Sequence, residues 1–149
     1  MTLEKLQEEF PSATLETWHQ TADGGWIENT AVVSGNARVF GDAQVYGNAQ
    51  VSGDARMFGD ARVFGDAWDK SPLQIQGTRH FCCMSSARIL SIGCKQQTIS
   101  EWVEQFAGIG AAERYSAEEI AEYKLYIDLF AARYGVTKRS GEAADVAKG

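Results

Sequence analysis

The chain has 149 residues, of which 14 are Lys or Arg and 20 are Asp or Glu, so its net charge is −6 at pH 7. This length suits one domain, or one domain with a small appendage, around a modest core. The acidic balance argues against direct nucleic-acid binding, which draws its affinity from a basic surface. The sequence shows neither a long apolar run nor the basic-then-apolar start of a signal peptide, so we expect no membrane partner.

Residues 1–28 are predicted to form an N-terminal cap. Thr2 is placed as the N-cap of a short helix, and a second helical turn is predicted from Thr14 to His19. The open end of a parallel β-helix exposes unpaired strand edges that must be covered. We therefore expect Trp18 and Trp26 to act as lids on the repeat that follows.

A six-residue repeat occupies residues 29–69, as in Gly41-Asp42-Ala43-Gln44-Val45-Tyr46. Residues two apart in an extended chain point to the same face, so each Ala and the following Val or Met face inward. Each Gly-Asn or Gly-Asp pair favours a corner. A helix is excluded because the period does not fit about 3.6 residues per turn. The repeat therefore predicts a solenoid of short strands around a narrow core.

These hexads resemble those of hexapeptide-repeat proteins, which fold as a left-handed parallel β-helix. In that family an aliphatic residue is followed four positions later by a small one, as Val39 is followed by Ala43. The resemblance implies three hexads per coil, and its left-handed crossover is an exception to the usual right-handed rule. The predicted fold class is mainly β with α: a short left-handed parallel β-helix with an N-terminal capping helix and a C-terminal helical hairpin.

Three hexads per coil would stack residues eighteen positions apart and create outward ladders. The predicted outward pairs are Arg38/Arg56, Phe40/Phe58, Gln44/Arg62, Tyr46/Phe64 and Gln50/Trp68. Large aromatics on so short a coil form an apolar patch that a soluble monomer would usually cover. We expect either the chain's own helices or another subunit to cover it. The predicted binding or interface residues of the repeat are Arg38, Phe40, Tyr46, Arg56, Phe58, Arg62, Phe64 and Trp68.

Residues 70–97 are predicted as additional strands and residues 98–135 as C-terminal helices. Alternation favours two or three strands, with turns near Gly77 and at Ser85-Ser86. Thr98 opens a capping box for a helix to about residue 106. Ser116 opens a second helix that runs to Tyr134 and ends at Gly135, and residues 136–149 are predicted as a flexible tail.

The second helix carries more apolar surface than one partner helix needs. Its main stripe contains Ile120, Tyr123, Ile127, Phe130 and Tyr134, whereas Leu125, Tyr126 and Leu129 lie off that stripe. This extra apolar surface could pack against the solenoid of the same chain or against another subunit, and the sequence does not decide between the two. Tyr123, Tyr126 and Phe130 therefore join the predicted interface residues.

The sequence predicts no catalytic residue, no metal and no cofactor. Hexapeptide-repeat proteins include acyltransferases with a His base and carbonic anhydrases with three His around zinc, but this chain has two histidines, His19 and His80, neither of them in the hexads. The spacing of His80, Cys82, Cys83 and Cys94 fits no usual zinc pattern. Three cysteines, two of them adjacent, predict reduced thiols in a cytosolic protein.

The ends of the chain resemble small proteins of bacteriophage and prophage genomes that carry hexads between a similar head and tail. The matching segments are TLEKLQEEFPSATLETWHQ, SIGCKQQTISEW and YSAEEIAEYKLYI. The resemblance implies the cytoplasm of a bacterial host, where small acidic phage proteins often bind and block a host component. The predicted function is a non-enzymatic inhibitor of a host defence protein, acting as a homo-oligomer, either a trimer or a dimer.

Three other functions stay open. A DNA mimic is weakened by the cations that Arg38, Arg56 and Arg62 place on the ladders. A nucleotide-like binder or sponge would use Arg38 and Arg56 with the aromatics, because guanidinium forks suit phosphate. An acyltransferase-like enzyme would have to use His19 or His80 as its base.

Overall fold

The computed structural model describes residues 1–135, and the predicted tail at 136–149 lies outside the described residues. The chain divides into two compact units, Met1–Gln74 with Cys83–Ala87, and Ile75–Cys82 with the chain from Arg88 onward. Within residues 1–135 there are thirteen strands and three helices, so the fold is mainly β with α.

The helices are α1 (Leu3–Glu9), α2 (Ile99–Ala112) and α3 (Ala117–Tyr134). The strands up to the end of the repeat are β1 (Trp18–Gln20), β2 (Trp26–Glu28), β3 (Val32–Val33), β4 (Arg38–Val39), β5 (Gln44–Val45), β6 (Gln50–Val51), β7 (Arg56–Met57), β8 (Arg62–Val63) and β9 (Ala67–Trp68). The later strands are β10 (Gln74–Gln76), β11 (Phe81–Met84), β12 (Ile89–Ile92) and β13 (Lys95–Thr98).

In the first unit, each repeat strand pairs in parallel with the strand one coil later. Strands β2, β5 and β8 share one sheet with β1, strands β3, β6 and β9 form another, and β4 pairs with β7. The predicted spacing is confirmed where Arg38 pairs with Arg56 and Gln44 with Arg62. The inward residues form the core, each at most 1% exposed: Val39, Ala43, Val45, Ala49, Val51, Ala55, Met57, Ala61 and Val63.

The register changes by one residue in the last coil. Gln50 pairs with Ala67 and Val51 with Trp68, so the prediction that Gln50 lies over Trp68 is wrong. Earlier corners place a Gly at positive φ, whereas the last corner uses Asp66 at φ 66°. This corner is one residue shorter, and Trp68 therefore continues the line of the inward valines instead of an outward ladder.

The N-terminal helix is confirmed, with the Thr2 side chain accepting a hydrogen bond from the N–H of Lys5. The predicted helical turn from Thr14 to His19 is confirmed only at its start, where the N–H groups of Thr17 and Trp18 donate to the carbonyl of Thr14 at 3.1 and 2.9 Å. The hydroxyl of Thr17 accepts the N–H of Thr14 in a turn, and strand β1 follows at once and pairs antiparallel with β2. Trp18 reaches its buried position from a strand and not from a helix.

After the repeat, β10, β11, β12 and β13 form a sheet in that order, followed along the chain by α2 and α3. Strand β13 was not among the predicted strands; it pairs antiparallel with β12 across a turn at Gly93. Both predicted capping boxes are confirmed, with Thr98 paired to Glu101 and Ser116 to Glu119.

Helix α2 extends past its predicted end near residue 106 to Ala112. Gly110, which lowers helix propensity in a sequence-based reading, is buried here. A Cβ at Gly110 would lie 3.1 Å from the side chain of Ile120, so the glycine permits close packing of α2 on α3. None of the helices within residues 1–135 has the length and apolar character needed to cross a membrane.

Candidate binding surface on the repeat

The Tyr46–Phe64 ladder is covered by the chain's own N-terminal arm. The two rings have centroids 5.5 Å apart, and Phe10 packs edge-on against Tyr46 at 4.8 Å. Trp18 lies 6.2 Å from the same tyrosine. These aromatics surround a buried cluster that contains Leu6, so Tyr46 serves intrachain packing.

Arg62 is also engaged by that arm. Its Nε lies 3.0 Å from Oε1 of Glu9 on α1, and both side chains are no more than one-third exposed. Tyr46 and Arg62 therefore hold the N-terminal arm on the repeat beside strands β5 and β8.

The Phe40–Phe58 ladder is partly exposed. The two rings stack with centroids 6.0 Å apart and an interplanar angle of 27°, and Phe58 is 36% exposed. The guanidinium of Arg38 lies 5.6 Å from the centre of the Phe40 ring. We call Arg38, Phe40, Arg56 and Phe58 together the β4–β7 face.

The two cations of the β4–β7 face differ in their partners. Arg38 forms an ion pair with Asp23, with Nη2 and Oδ2 3.0 Å apart. Arg56 is exposed, and its side chain has no acidic partner among residues 1–135. Because a guanidinium without an acidic partner in the described chain can bind a carboxylate or phosphate through two hydrogen bonds, Arg56 is the more available cation of the two.

The β4–β7 face is held rigidly from both edges. On one edge, the hydroxyl of Thr21 donates to the carbonyl of Val39 at 2.6 Å. On the other edge, the N–H of Arg56 donates to the hydroxyl of Ser71 at 2.8 Å, and the side chain of Gln74 bonds to the backbone of β7. The side chains of the face therefore project from a backbone that is already fixed.

The remaining predicted interface residues lie elsewhere. Tyr123 and Phe130 are 0% exposed in the core of the second unit, which corrects their assignment to an interface, because neither offers surface to a partner. Tyr126 is half-buried and donates from its hydroxyl to Glu122 at 2.6 Å. Trp68 is half-buried and donates from Nε1 to the carbonyl of Gly65 at 2.9 Å.

The second unit contains a small cavity of about 80 Å³ beside His80. Its other lining residues come from β12, β13, α2 and the loop before α3: Ile92, Cys94, Lys95, Trp102, Ile109, Glu113 and Tyr115. Burial, and then the charge of Arg79, lower the pKa of His80. The sequence analysis considered His80 and Cys94 together but did not identify the other lining residues, because these are far apart in the chain.

Neither histidine has the partner expected of a catalytic base. Within residues 1–135 the His80 ring makes no hydrogen bond, and Nδ1 of His19 lies 2.8 Å from the amide oxygen of Asn29. A general base is normally oriented by a carboxylate or similar group. Both rings lack that arrangement in the described residues.

The cysteines do not form a metal site in the described chain. Within residues 1–135 no three His, Cys, Asp or Glu side chains come together so as to hold a metal ion. Cys82 and Cys83 are buried and Cys94 is exposed. Burial, followed by the charge of Glu122, raises the pKa of Cys82 to about 12, which keeps this thiol protonated and unreactive at neutral pH.

Comparison with known families agrees with this geometry. A family profile described as a YdcK beta solenoid repeat matches residues 31–47 and 43–57. The chain contains a β-solenoid repeat. The comparisons with curated proteins and with solved structures gave no match.

Proposed function

We propose that this protein is a non-enzymatic binding protein that contacts its partner through the β4–β7 face. One observation carries the proposal. Of two aromatic ladders on the repeat, Tyr46–Phe64 packs against the N-terminal arm, whereas the stacked Phe40–Phe58 pair carries Phe58 at 36% exposure beside the cations of β4 and β7. An exposed aromatic pair flanked by arginines marks a candidate interaction surface.

The chemistry of the face defines the partner. Aromatic and Arg side chains dominate the binding energy of protein interfaces, particularly when a rigid scaffold holds them. The partner should place an apolar group over Phe58 and a carboxylate opposite Arg56, which has no acidic partner among residues 1–135. This pattern fits a folded protein with a mixed apolar and acidic patch.

The resemblance of the chain ends to phage and prophage proteins supports a finer proposal. In it, the protein acts in the cytoplasm of a bacterial host, as a homo-oligomer of two or three chains, and inhibits a component of host defence. The resemblance of the hexads to hexapeptide-repeat proteins supports a left-handed winding of the coils. The parallel pairing of the repeat strands is compatible with that winding.

The test compares a variant of the β4–β7 face with a control variant on strand β6. Bacteria that carry a defence system and express the protein should become sensitive to phage, and the Arg56→Ala/Phe58→Ala variant should lose this effect. Gln50→Ala is the matched control, since Gln50 is exposed at the equivalent position of β6. Because hot-spot truncations cost about 2 kcal/mol or more, we expect at least about a thirtyfold loss of affinity for the purified partner. Equal phage sensitivity of bacteria that express the variant and of bacteria that express wild type would contradict the proposal.

A second candidate is a small phosphate-containing ligand on the same face. Arg56, which has no acidic partner among residues 1–135, and the exposed Phe58 on the same face favour it, because guanidinium binds phosphate and an aromatic ring stacks on a base. Native mass spectrometry of the purified protein distinguishes the two functions. A nucleotide-sized mass that wild type retains and Arg56→Ala loses would favour the small ligand, and its absence from both would leave protein binding.

A further inference from the structure

Helix α3 has an apolar stripe on the side opposite its core. Tyr123, Ile127 and Phe130 are buried at 0%, 2% and 0% exposure. Leu125 and Leu129, one helical turn apart, are 69% and 49% exposed. At about 100° per residue, these two leucines project away from the buried stripe.

Small residues extend this stripe at both ends. Ala121 lies one turn before Leu125, and Ala132 lies about one turn after Leu129, and both are exposed. Two central leucines with alanine on either side allow a second helix to approach closely along the whole stripe. We call Ala121, Leu125, Leu129 and Ala132 the α3 seam.

Charged residues flank the α3 seam in a self-complementary order. Lys124 and Asp128 lie on one flank, with Nζ and Oδ2 2.9 Å apart. If a second α3 runs antiparallel with Leu125 beside Leu129 of the partner subunit, Lys124 lies two residues, about 3 Å along the axis, from the level of Asp128 of the partner subunit, and its flexible side chain can span that offset. A parallel two-fold pair would instead bring this flank against the flank of the partner subunit that carries Glu122 and Arg133. Asp128 would then lie five residues, about 7.5 Å along the axis, from Arg133 of the partner subunit, too far for a close ion pair.

The other flank follows the same order. Glu122 lies near the start of α3 and Arg133 near its end, where the Arg133 guanidinium sits 4.8 Å from the Tyr134 ring centre. The Glu122 carboxylate accepts hydrogen bonds from the Thr78 N–H and the Tyr126 hydroxyl, which hold it in place. The antiparallel register brings Arg133 to within one residue of the level of Glu122 of the partner subunit. Both flanks therefore pair opposite charges in one orientation, which is what an isologous two-fold interface requires.

We propose that α3 binds α3 of a second copy of this chain, antiparallel and across a two-fold axis. This inference deepens the homo-oligomer part of the proposed function by naming its surface. It uses none of the residues of the β4–β7 face. Because two helices of this length bury less than the roughly 1,600 Å² of a standard interface, the dimer should form at micromolar concentration and dissociate on dilution.

The first test is sedimentation equilibrium of the full chain between about 1 and 200 µM, a range that brackets micromolar dissociation constants. Wild type should pass from monomer to dimer, and Leu125→Glu/Leu129→Glu should remain monomeric over the same range. Leu15→Glu is the matched control, since Leu15 is an exposed leucine of the first unit at 70% exposure. This control should dimerise like wild type. A monomeric wild type, or a trimer that the seam variant leaves intact, would overturn the proposal.

The second test uses charge reversal and does not depend on the leucines. Lys124→Glu alone places two acidic residues opposite each other, and Asp128→Lys alone places two basic residues opposite each other. Each variant should weaken its own dimer about tenfold, whereas an equimolar mixture of the two should restore dimerisation. Failure of the mixture to dimerise better than either variant would exclude the antiparallel register, provided both variants keep the wild-type helical circular dichroism.

These outcomes are separable from the proposed binding function. If the protein dimerises through α3 but Arg56→Ala/Phe58→Ala keeps its partner affinity, the α3 seam is supported and the β4–β7 proposal is refuted. If wild type is monomeric and that variant loses partner affinity, the β4–β7 proposal is supported and the α3 seam is refuted.

Discussion

The side chain of Gln74 takes the place of a neighbouring strand along Arg56. Its Nε2 donates to the carbonyl of Arg56 at 2.9 Å, and its Oε1 accepts the N–H of Phe58 at 3.0 Å. Strand β7 pairs on its other side with β4 alone. A single side-chain amide thus covers a sheet edge that would otherwise be open to pairing with another chain.

Replacing Gln74 should therefore destabilise the first unit and expose that edge. Gln74→Ala leaves two backbone groups of β7 without their protein partner, and we expect a loss of about 1–2 kcal/mol in the free energy of unfolding. Urea denaturation measures this loss, and light scattering during storage reports edge-to-edge association. Gln50→Ala, an exposed glutamine on β6, should change neither. An unchanged urea midpoint in Gln74→Ala would show that water replaces the amide without cost.

The buried hydroxyl of Tyr123 should contribute more to stability than the outer hydroxyl of Tyr126. Tyr123 accepts the N–H of Arg79 at 2.7 Å and also that of His80, and thereby fixes the loop before β11. Tyr123→Phe leaves these donors unpaired, and an unsatisfied buried donor costs about 1–3 kcal/mol. Tyr126→Phe is the matched control, because that hydroxyl meets Glu122 at the surface. Equal urea midpoints for the two variants would contradict this prediction.

Two glycines should respond in opposite directions to alanine. At Gly47, φ is 62° and an added Cβ would lie 2.7 Å from the carbonyl oxygen of Phe64, so Gly47→Ala should lower the melting temperature. At Gly108, inside α2, an added Cβ would meet nothing within 4 Å. Gly108→Ala should raise stability by about 0.5–1 kcal/mol, because alanine has less conformational freedom in the unfolded chain. Differential scanning calorimetry of both variants checks the pair, and a destabilised Gly108→Ala would refute the open-space argument.

His80 should make the protein less stable as the pH falls. Burial and the nearby charge of Arg79 lower its pKa from 6.5, while Glu113 and Glu119 act in the opposite direction but more weakly. Below pH 6.5 the unfolded chain takes up the proton first, so the free energy of unfolding declines from pH 6.5 down to the lower folded pKa. Above 6.5 both states are neutral and the effect is absent.

The NMR titration of the His80 ring and the urea midpoints from about pH 5 to 7.5 test this sign. His80→Gln should remove part of the decline, and His19→Gln controls for the loss of an imidazole. A His80 pKa at or above 6.5 in the folded protein would contradict the prediction.

The sequence by itself determined the elements that repeat or carry local signals. The hexad period fixed the inward Ala and Val positions and the eighteen-residue pairing of Arg38 with Arg56, because side chains alternate along a strand regardless of what surrounds it. The capping boxes at Thr98 and Ser116 were equally readable, since both partners of each box lie three residues apart.

Only the tertiary structure decided which ladder is covered and where the register shifts. Nothing local distinguishes Tyr46–Phe64 from Phe40–Phe58; the difference is that Phe10 and Trp18, remote in sequence, pack against the first of these ladders. The shorter corner at Asp66, which brings Trp68 level with Val51, is likewise seen only in the folded chain. Burial within a fold depends on contacts between distant residues, and the pattern of one strand or helix does not contain them.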